Sequence, residues 1–92
     1  MSVKISYSKR ADKFLEKNQN KISEEEIDNL IILAIKKIFK LEDTNIDLKM
    51  LKGELRGHFR IKKGDIRIIF TLEKRDIVEA IIKDIDFRGN IY

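Results

Sequence analysis

One segment of this 92-residue chain concentrates positive charge. Residues 49–67 contain seven basic side chains and two acidic ones, Glu54 and Asp65, and this excess of five is larger than the net charge of +4 on the whole chain. The basic side chains are Lys49, Lys52, Arg56, Arg60, Lys62, Lys63 and Arg67. Arginine has planar, permanently charged donors that match phosphate oxygens, and lysine supplies a compact cation. The segment is therefore suited to binding a phosphate backbone and to stabilising charge that develops on phosphorus.

Two runs of alternating residues place part of this charge on strands. Apolar and polar side chains alternate through 58–62 and 66–72, and Lys63-Gly64-Asp65 separates the runs, which predicts a β-hairpin. Alternation turns one set of side chains towards the core, namely Phe59, Ile61, Ile68 and Phe70. It turns the other set outward, namely His58, Arg60, Lys62, Arg67 and Ile69. We therefore expect Arg60, Lys62 and Arg67 to share an exposed strand face.

The rest of the chain predicts two helices and further strands. Residues 3–7 alternate like a strand, and from Ser8, a suitable N-cap, apolar residues at helical spacing continue to about Asn18. Ser23-Glu24-Glu25-Glu26 has the pattern of a capping box and begins a second helix with a wide apolar stripe. A weak strand is predicted over 48–51 and a last, strongly apolar strand over 77–87.

This order of elements predicts an α+β fold. A two-helix hairpin should pack on one face of a mostly antiparallel sheet of four or five strands and leave the other face open. We expect residues 1–92 to form a single domain. The chain has no cysteine, which excludes disulfides, thiolate metal sites and a cysteine nucleophile. It has no apolar run of the length of a signal peptide or a membrane span, so a soluble, cytoplasmic protein is expected.

Four short motifs follow one another in the C-terminal half. They are Leu51-Lys52-Gly53, Phe59-Arg60-Ile61-Lys62, Gly64-Asp65-Ile66-Arg67-Ile68-Ile69-Phe70 and Ile85-Asp86-Phe87-Arg88-Gly89-Asn90-Ile91-Tyr92. In order and spacing they resemble the bacterial RelE/ParE superfamily, the toxin halves of type II toxin–antitoxin systems. The resemblance covers nearly the full length and implies the RelE-like order β-α-α-β-β-β.

The superfamily has two branches with different targets. RelE-like members are messenger RNA endonucleases that act in the ribosomal A site, whereas ParE-like members poison DNA gyrase. The basic and aromatic pattern here is more similar to RelE. The resemblance implies a cytoplasmic, metal-independent endoribonuclease that needs no cofactor and inhibits translation. The positions that match the family's catalytic set are Arg60, Lys62, Arg67, Arg88 and Tyr92.

The resemblance also implies individual roles for four of these residues. Ribonucleases of this kind use the 2′-hydroxyl of the substrate to attack the adjacent phosphorus. Lys62 would be the base, because neighbouring cations favour its neutral form. Arg67 would bind the scissile phosphate, and Arg88 would stabilise the leaving oxygen. Tyr92 would stack on a nucleotide or help to deprotonate the hydroxyl.

Further residues of the basic segment are predicted to contact RNA. These are Lys49, Lys52, Arg56 and His58. The chain departs from the family pattern at Phe87, where many relatives carry histidine or lysine. An acid–base side chain is therefore absent directly before Arg88.

The resemblance implies partners as well. A cognate antitoxin should bind the chain, messenger RNA on the ribosome should be the substrate, and operator DNA should be contacted only through the antitoxin. No membrane partner is implied. Two other functions are left open by the residues: a ParE-like gyrase inhibitor without nuclease activity, and a degenerate RNA-binding module that binds without strand scission.

Overall fold

A computed structural model describes residues 2–89. In this range the chain forms two α-helices and five strands in the predicted order. The elements are β1 (Val3–Tyr7), α1 (Lys9–Lys17), α2 (Glu24–Ile38), β2 (Asp47–Met50), β3 (Phe59–Lys63), β4 (Ile66–Lys74) and β5 (Val78–Phe87), with a 3₁₀ turn (Gly53–Leu55) between β2 and β3. Neither helix is long and apolar enough to cross a membrane.

The strands form one mixed sheet in the order β1-β5-β4-β3-β2. β1 pairs parallel to β5, and the other three pairings are antiparallel. Both helices pack on one face, where the main core joins apolar side chains of α1 and α2 to those of the strands. The predicted α+β class, with a helix pair on one side of a mostly antiparallel sheet, is confirmed.

Serine caps begin both helices, as the sequence predicts. Ser8 Oγ accepts a hydrogen bond from the Ala11 N–H at 3.1 Å, and Ser23 Oγ accepts one from the Glu26 N–H at 3.1 Å. The Ser8 hydroxyl also donates to the Lys83 carbonyl at 2.8 Å. Ser8 therefore ties the start of α1 to β5 as well as capping the helix.

Because of the additional contact with β5, Ser8 should contribute more to stability than Ser23. We expect Ser8→Ala to lower the free energy of unfolding by about 2 kcal/mol, because it removes both an N-cap and a hydrogen bond between elements. Ser23→Ala, which removes a solvent-exposed cap, should cost about 1 kcal/mol. Urea unfolding of the two variants measures the difference. Equal losses of unfolding free energy in the two variants would mean that the hydrogen bond to the Lys83 carbonyl adds no stability.

The second face of the sheet is less open than predicted. Ile69 was expected to face solvent, but it is only 3% exposed. It packs against Leu51 and Leu55, which lie on the open side of the sheet where β2 leads into the 3₁₀ turn. An apolar side chain on this face is thus shielded by two leucines brought over it by the turn, an arrangement that strand alternation does not reveal.

Candidate functional site

The cross-strand register places two rows of side chains side by side on the face opposite the helices. The first row runs across β2, β3, β4 and β5 as Asp47, Lys62, Arg67 and Asp86. The second row runs across the same strands as Lys49, Arg60, Ile69 and Asp84. Neighbouring strands lie about 4.8 Å apart, so members of one row are near neighbours. Three of the predicted catalytic residues, Arg60, Lys62 and Arg67, therefore do share one face.

The turn between β3 and β4 brings a fourth predicted residue to the first row. Gly64 adopts φ +59° there, a conformation that favours glycine. The Arg88 N–H donates to the Asp65 carbonyl at 2.6 Å, because the end of β5 pairs with the start of β4. Arg88 is itself exposed. Lys62, Arg67 and Arg88 are thus gathered around the turn at residues 64–65.

Arg67 differs from its predicted exposure. Its side chain is 7% exposed, and its Nη1 donates to the Gly64 carbonyl at 2.9 Å and to the Ile66 carbonyl at 3.4 Å. The expectation of a solvent-facing guanidinium is wrong, because the side chain folds back onto the turn that precedes it. In this structure Arg67 holds the turn that carries Asp65, and Asp65 in turn holds the backbone of Arg88.

Because Arg67 holds the turn in place, its removal should lower the stability of the fold. We expect Arg67→Ala to lower the free energy of unfolding by about 1.5–3 kcal/mol, the range for hydrogen bonds to charged groups. Arg56→Ala, at an exposed position, should change it by less than about 0.5 kcal/mol. Urea denaturation of both variants checks the difference. Indistinguishable midpoints would contradict the bracing of the turn by Arg67.

Arg60 and Lys62 differ in their access to solvent. The Arg60 side chain is 15% exposed, and its Nη2 lies 2.8 Å from Asp47 Oδ1 in a salt bridge. Its Nε is buried and finds no hydrogen-bond partner among residues 2–89. Lys62 is exposed. Of the basic side chains on the two rows, Lys62 and Lys49 are thus the ones that are exposed to solvent.

The other predicted site residues are distributed as follows. Lys49, Lys52 and Arg56 are exposed around the end of β2 and the 3₁₀ turn. His58 is half-buried, and its Nδ1 has no hydrogen-bond partner within the described range. Tyr92 lies outside the described residues. Lys52 and Arg56 therefore lie beside the end of the second row, which Lys49 begins, and His58 is less accessible than these three.

Sequence reasoning missed the carboxylates that end the rows. Asp84 and Asp86 follow the alternation of β5 and lie opposite Ile69 and Arg67. Burial raises the pKa of the Asp84 carboxyl; the charge of Arg10 opposes this rise and the neighbouring Asp86 adds to it. Arg10 Nε is 3.1 Å from Asp84 Oδ1, but without hydrogen-bonding geometry, so the contact is an ion pair. The alternating run 84–87 held the signal that both aspartates share a face.

Solved structures show the same fold with low sequence identity. No protein-family model and no curated protein matches the sequence. A copper-bound mutant toxin from Helicobacter pylori is 22% identical with a TM-score of 0.64, and the match covers 97% of this chain and 98% of that one. A YoeB/ParE toxin from Agrobacterium tumefaciens is 12% identical with a TM-score of 0.64, over 92% and 98% of the chains.

A third match comes from the toxin–antitoxin complex RelBE2 of Mycobacterium tuberculosis. It is 16% identical with a TM-score of 0.59, and covers 96% of this chain and 100% of that one. At these identities the likeness concerns the fold. The resemblance inferred from the four motifs is therefore confirmed at the level of architecture, and the chain has the fold of the RelE/ParE toxins.

Proposed function

We propose that this chain is the toxin of a type II toxin–antitoxin system and cleaves messenger RNA on the ribosome, which inhibits translation. The observation that carries the proposal is the convergence of Lys62, Arg67 and Arg88 at the turn of residues 64–65. These three cations come from β3, from β4 and from the residue directly after β5. They lie around the turn, on the sheet face that the helices leave uncovered. The similar solved structures, which include toxins and toxin–antitoxin complexes, support the same assignment.

The proposed reaction needs a base, a positive field and a protonated leaving group. The 2′-hydroxyl attacks the adjacent phosphorus, its proton passes to the Lys62 amine acting as general base, and the bond from phosphorus to the 5′-oxygen breaks. The products are a 2′,3′-cyclic phosphate and a 5′-hydroxyl. Arg88 faces the leaving oxygen, and Arg60 adds positive field from the second row. Arg67 acts mainly through the turn that it holds.

Two acidic neighbours bear on this mechanism. Asp47 already binds Arg60 at 2.8 Å, so this guanidinium is oriented before substrate arrives. Asp86 lies in register with Arg67 and places a carboxylate beside the cations. Because Phe87 cannot exchange a proton, water or a group outside residues 2–89 must protonate the leaving oxygen in this scheme.

Induction of the chain in bacterial cells tests the proposal. Mapping of RNA 5′ ends by primer extension should reveal new ends at codon-phased positions in translated messages, together with growth arrest. The Lys62→Ala variant, induced to the same level, is the control and should give neither. Growth arrest with no new 5′ ends would overturn the nuclease assignment, and loss of plasmid supercoiling in the same cells would indicate a ParE-like gyrase inhibitor instead.

A cognate antitoxin is part of this proposal. The similar chain from Mycobacterium tuberculosis was solved in a toxin–antitoxin complex. An antitoxin segment that carries acidic residues would complement the exposed Lys49, Lys52 and Lys62. Co-expression with the product of the adjacent reading frame should yield a stable complex and restore growth. Failure of that product to co-purify would contradict the pairing.

A further inference from the structure

A groove lies outside the proposed site, between α1 and the end of β5. β1 pairs with β5 only as far as Tyr7 opposite Ile82, so residues 83–87 of β5 have no strand on that side. α1 packs alongside this end of the sheet and leaves a cavity of about 320 Å³. Its lining residues come from α1, from its C-cap Asn18 and from the last four residues of β5.

The basic and acidic side chains of α1 lie on different sides of the helix. Arg10, Lys13 and Lys17 line the groove beside β5. Asp12 and Glu16 line a different cavity, towards the start of α2. In the sequence these charges alternate in sign, which is the pattern of an ordinary solvated helix surface. In three dimensions the groove side of the helix is basic.

The floor of the groove is aromatic. Phe87 is half-buried, with the Phe14 ring edge-on at a centroid distance of 5.1 Å and an interplanar angle of 60°. The Lys21 ammonium lies 4.8 Å from the centroid of the Phe87 ring, which adds a fourth cation at this end. The Phe87 ring thus lies between a second aromatic ring and a lysine ammonium. Phe87 is also the residue next to Arg88.

The two carboxylates of the groove differ in their partners. Asp84 forms the ion pair with Arg10, whereas one Asp86 oxygen accepts the Phe87 N–H at 2.8 Å and the Asp86 carboxylate lies in register with Arg67 on β4. Lys13 and Lys17 make no ion pair with either carboxylate among residues 2–89 and lie beside the aromatic floor. A basic wall beside an aromatic platform is the arrangement with which proteins hold single-stranded nucleic acid, by phosphate contacts and base stacking.

We propose that this groove binds the single-stranded stretch of RNA that adjoins the scissile phosphate. The inference rests on the proposed function, since Arg88 belongs to the site and follows directly on Phe87 in the groove. The path from Lys62 to the groove crosses only β4 and β5, two strand spacings of about 4.8 Å each. Duplex RNA does not fit this chemistry, because its stacked bases cannot reach the Phe87 ring.

Fluorescence anisotropy with a short single-stranded RNA tests the inference. The probe carries 2′-O-methyl riboses throughout, so it cannot be cleaved, and the full chain is titrated at several salt concentrations. Lys13→Gln/Lys17→Gln should weaken binding about tenfold at low salt and reduce the salt slope of log K by about 1.4, since each single-strand phosphate contact contributes about 0.7. The matched control is Lys9→Gln/Lys40→Gln, which loses the same charge at exposed positions outside the groove. It should bind within about twofold of the unaltered chain at the same salt, since it removes no contact counted in that slope.

A second variant tests the aromatic floor. Phe87→Leu keeps an apolar side chain against Phe14 but removes the ring, and it should weaken binding about fivefold or more, given that stacking of one base on an aromatic ring is worth about 1–3 kcal/mol. Equal effects of the groove and control variants would overturn the inference. So would duplex RNA, or an acidic peptide, that competes as well as the single strand.

The same assay separates this inference from the proposed function. Lys62→Ala should lose cleavage in cells, and the groove substitutions added to it should still weaken binding of the uncleavable probe. Cleavage in cells together with groove variants that bind normally would overturn the groove alone. Groove-dependent binding without any cleavage in cells would overturn the nuclease assignment and leave a single-strand binding surface.

Discussion

Replacement of Lys62 by alanine should reduce ribosome-dependent RNA cleavage by about 100-fold or more, the contribution expected from a positioned general base. Lys62 is exposed, lies in register with Arg67, and makes none of the hydrogen bonds found between side chains of residues 2–89. Its loss should therefore leave the free energy of unfolding within about 0.5 kcal/mol of the original value. Cleavage of a defined message on programmed ribosomes, measured as kcat/KM, provides the test.

Two further substitutions test whether Lys62 acts as a base or only supplies positive charge. Lys63→Ala is the matched control, because Lys63 is the next residue along β3, is equally exposed, and lies opposite Ile66 on the other face. It should retain cleavage within about threefold, the size of a weak effect of a surface charge. Lys62→Arg keeps the charge but cannot lose its proton, so it should be nearly as inactive as the alanine variant. An active Lys62→Arg protein would show that Lys62 supplies charge and not a base.

Strand alternation correctly predicted the strand face from which Lys62 projects, whereas Lys63, which was predicted in the turn, is the last residue of β3. In β3 and β4 the period of two places Phe59, Ile61, Ile68 and Phe70 on the helix side and Arg60 and Lys62 on the other. Alternation fixes which face a side chain leaves from. It does not fix the direction that a long side chain then takes, which is why Arg67 leaves from the predicted face and yet is buried against its own turn.

The sequence of β5 indicates its irregular pairing with β4, although our prediction did not take this pattern into account. The register shifts between Ile69 and Phe70, so that Lys83 has no partner on β4. In the sequence the inward positions change phase at the same place, from 78, 80 and 82 to 85 and 87. A β-bulge accounts for such a phase change. Reading it would have placed Asp84 and Asp86 together beside the cations.

The groove beside α1 had no comparable signal. Its basic wall depends on which side of α1 packs towards β5, and its existence depends on where β1 stops pairing. Both are tertiary facts that one segment of sequence does not contain. The four motifs, by contrast, are local, and they were sufficient to indicate an architecture that the similar solved structures share at 12–22% identity.

Phe70→Ala should be the most destabilising of these substitutions. Phe70 is 0% exposed in β4, the middle strand of the sheet, and its ring stacks on Phe59 with centroids 5.4 Å apart. Truncation leaves a cavity between the sheet and the helices, which costs about 3–5 kcal/mol for a buried phenylalanine. Since domains of this size have about 5–15 kcal/mol of net stability, the variant would lose much of it.

Thermal and urea unfolding would measure this loss. For a domain of this length about 3–5 kcal/mol corresponds to a fall in Tm of roughly 15–30 °C. Phe70→Leu fills most of the space and should cost less than half as much, whereas Met50→Ala, at a side chain 64% exposed on the edge strand β2, should cost about 0.5 kcal/mol or less. A loss for Phe70→Ala no larger than that for Met50→Ala would mean that the core does not depend on this ring. Because β4 also carries Arg67 on its opposite face, a Phe70→Ala protein that still folds in the cold should lose cleavage on warming at the temperature where its sheet melts.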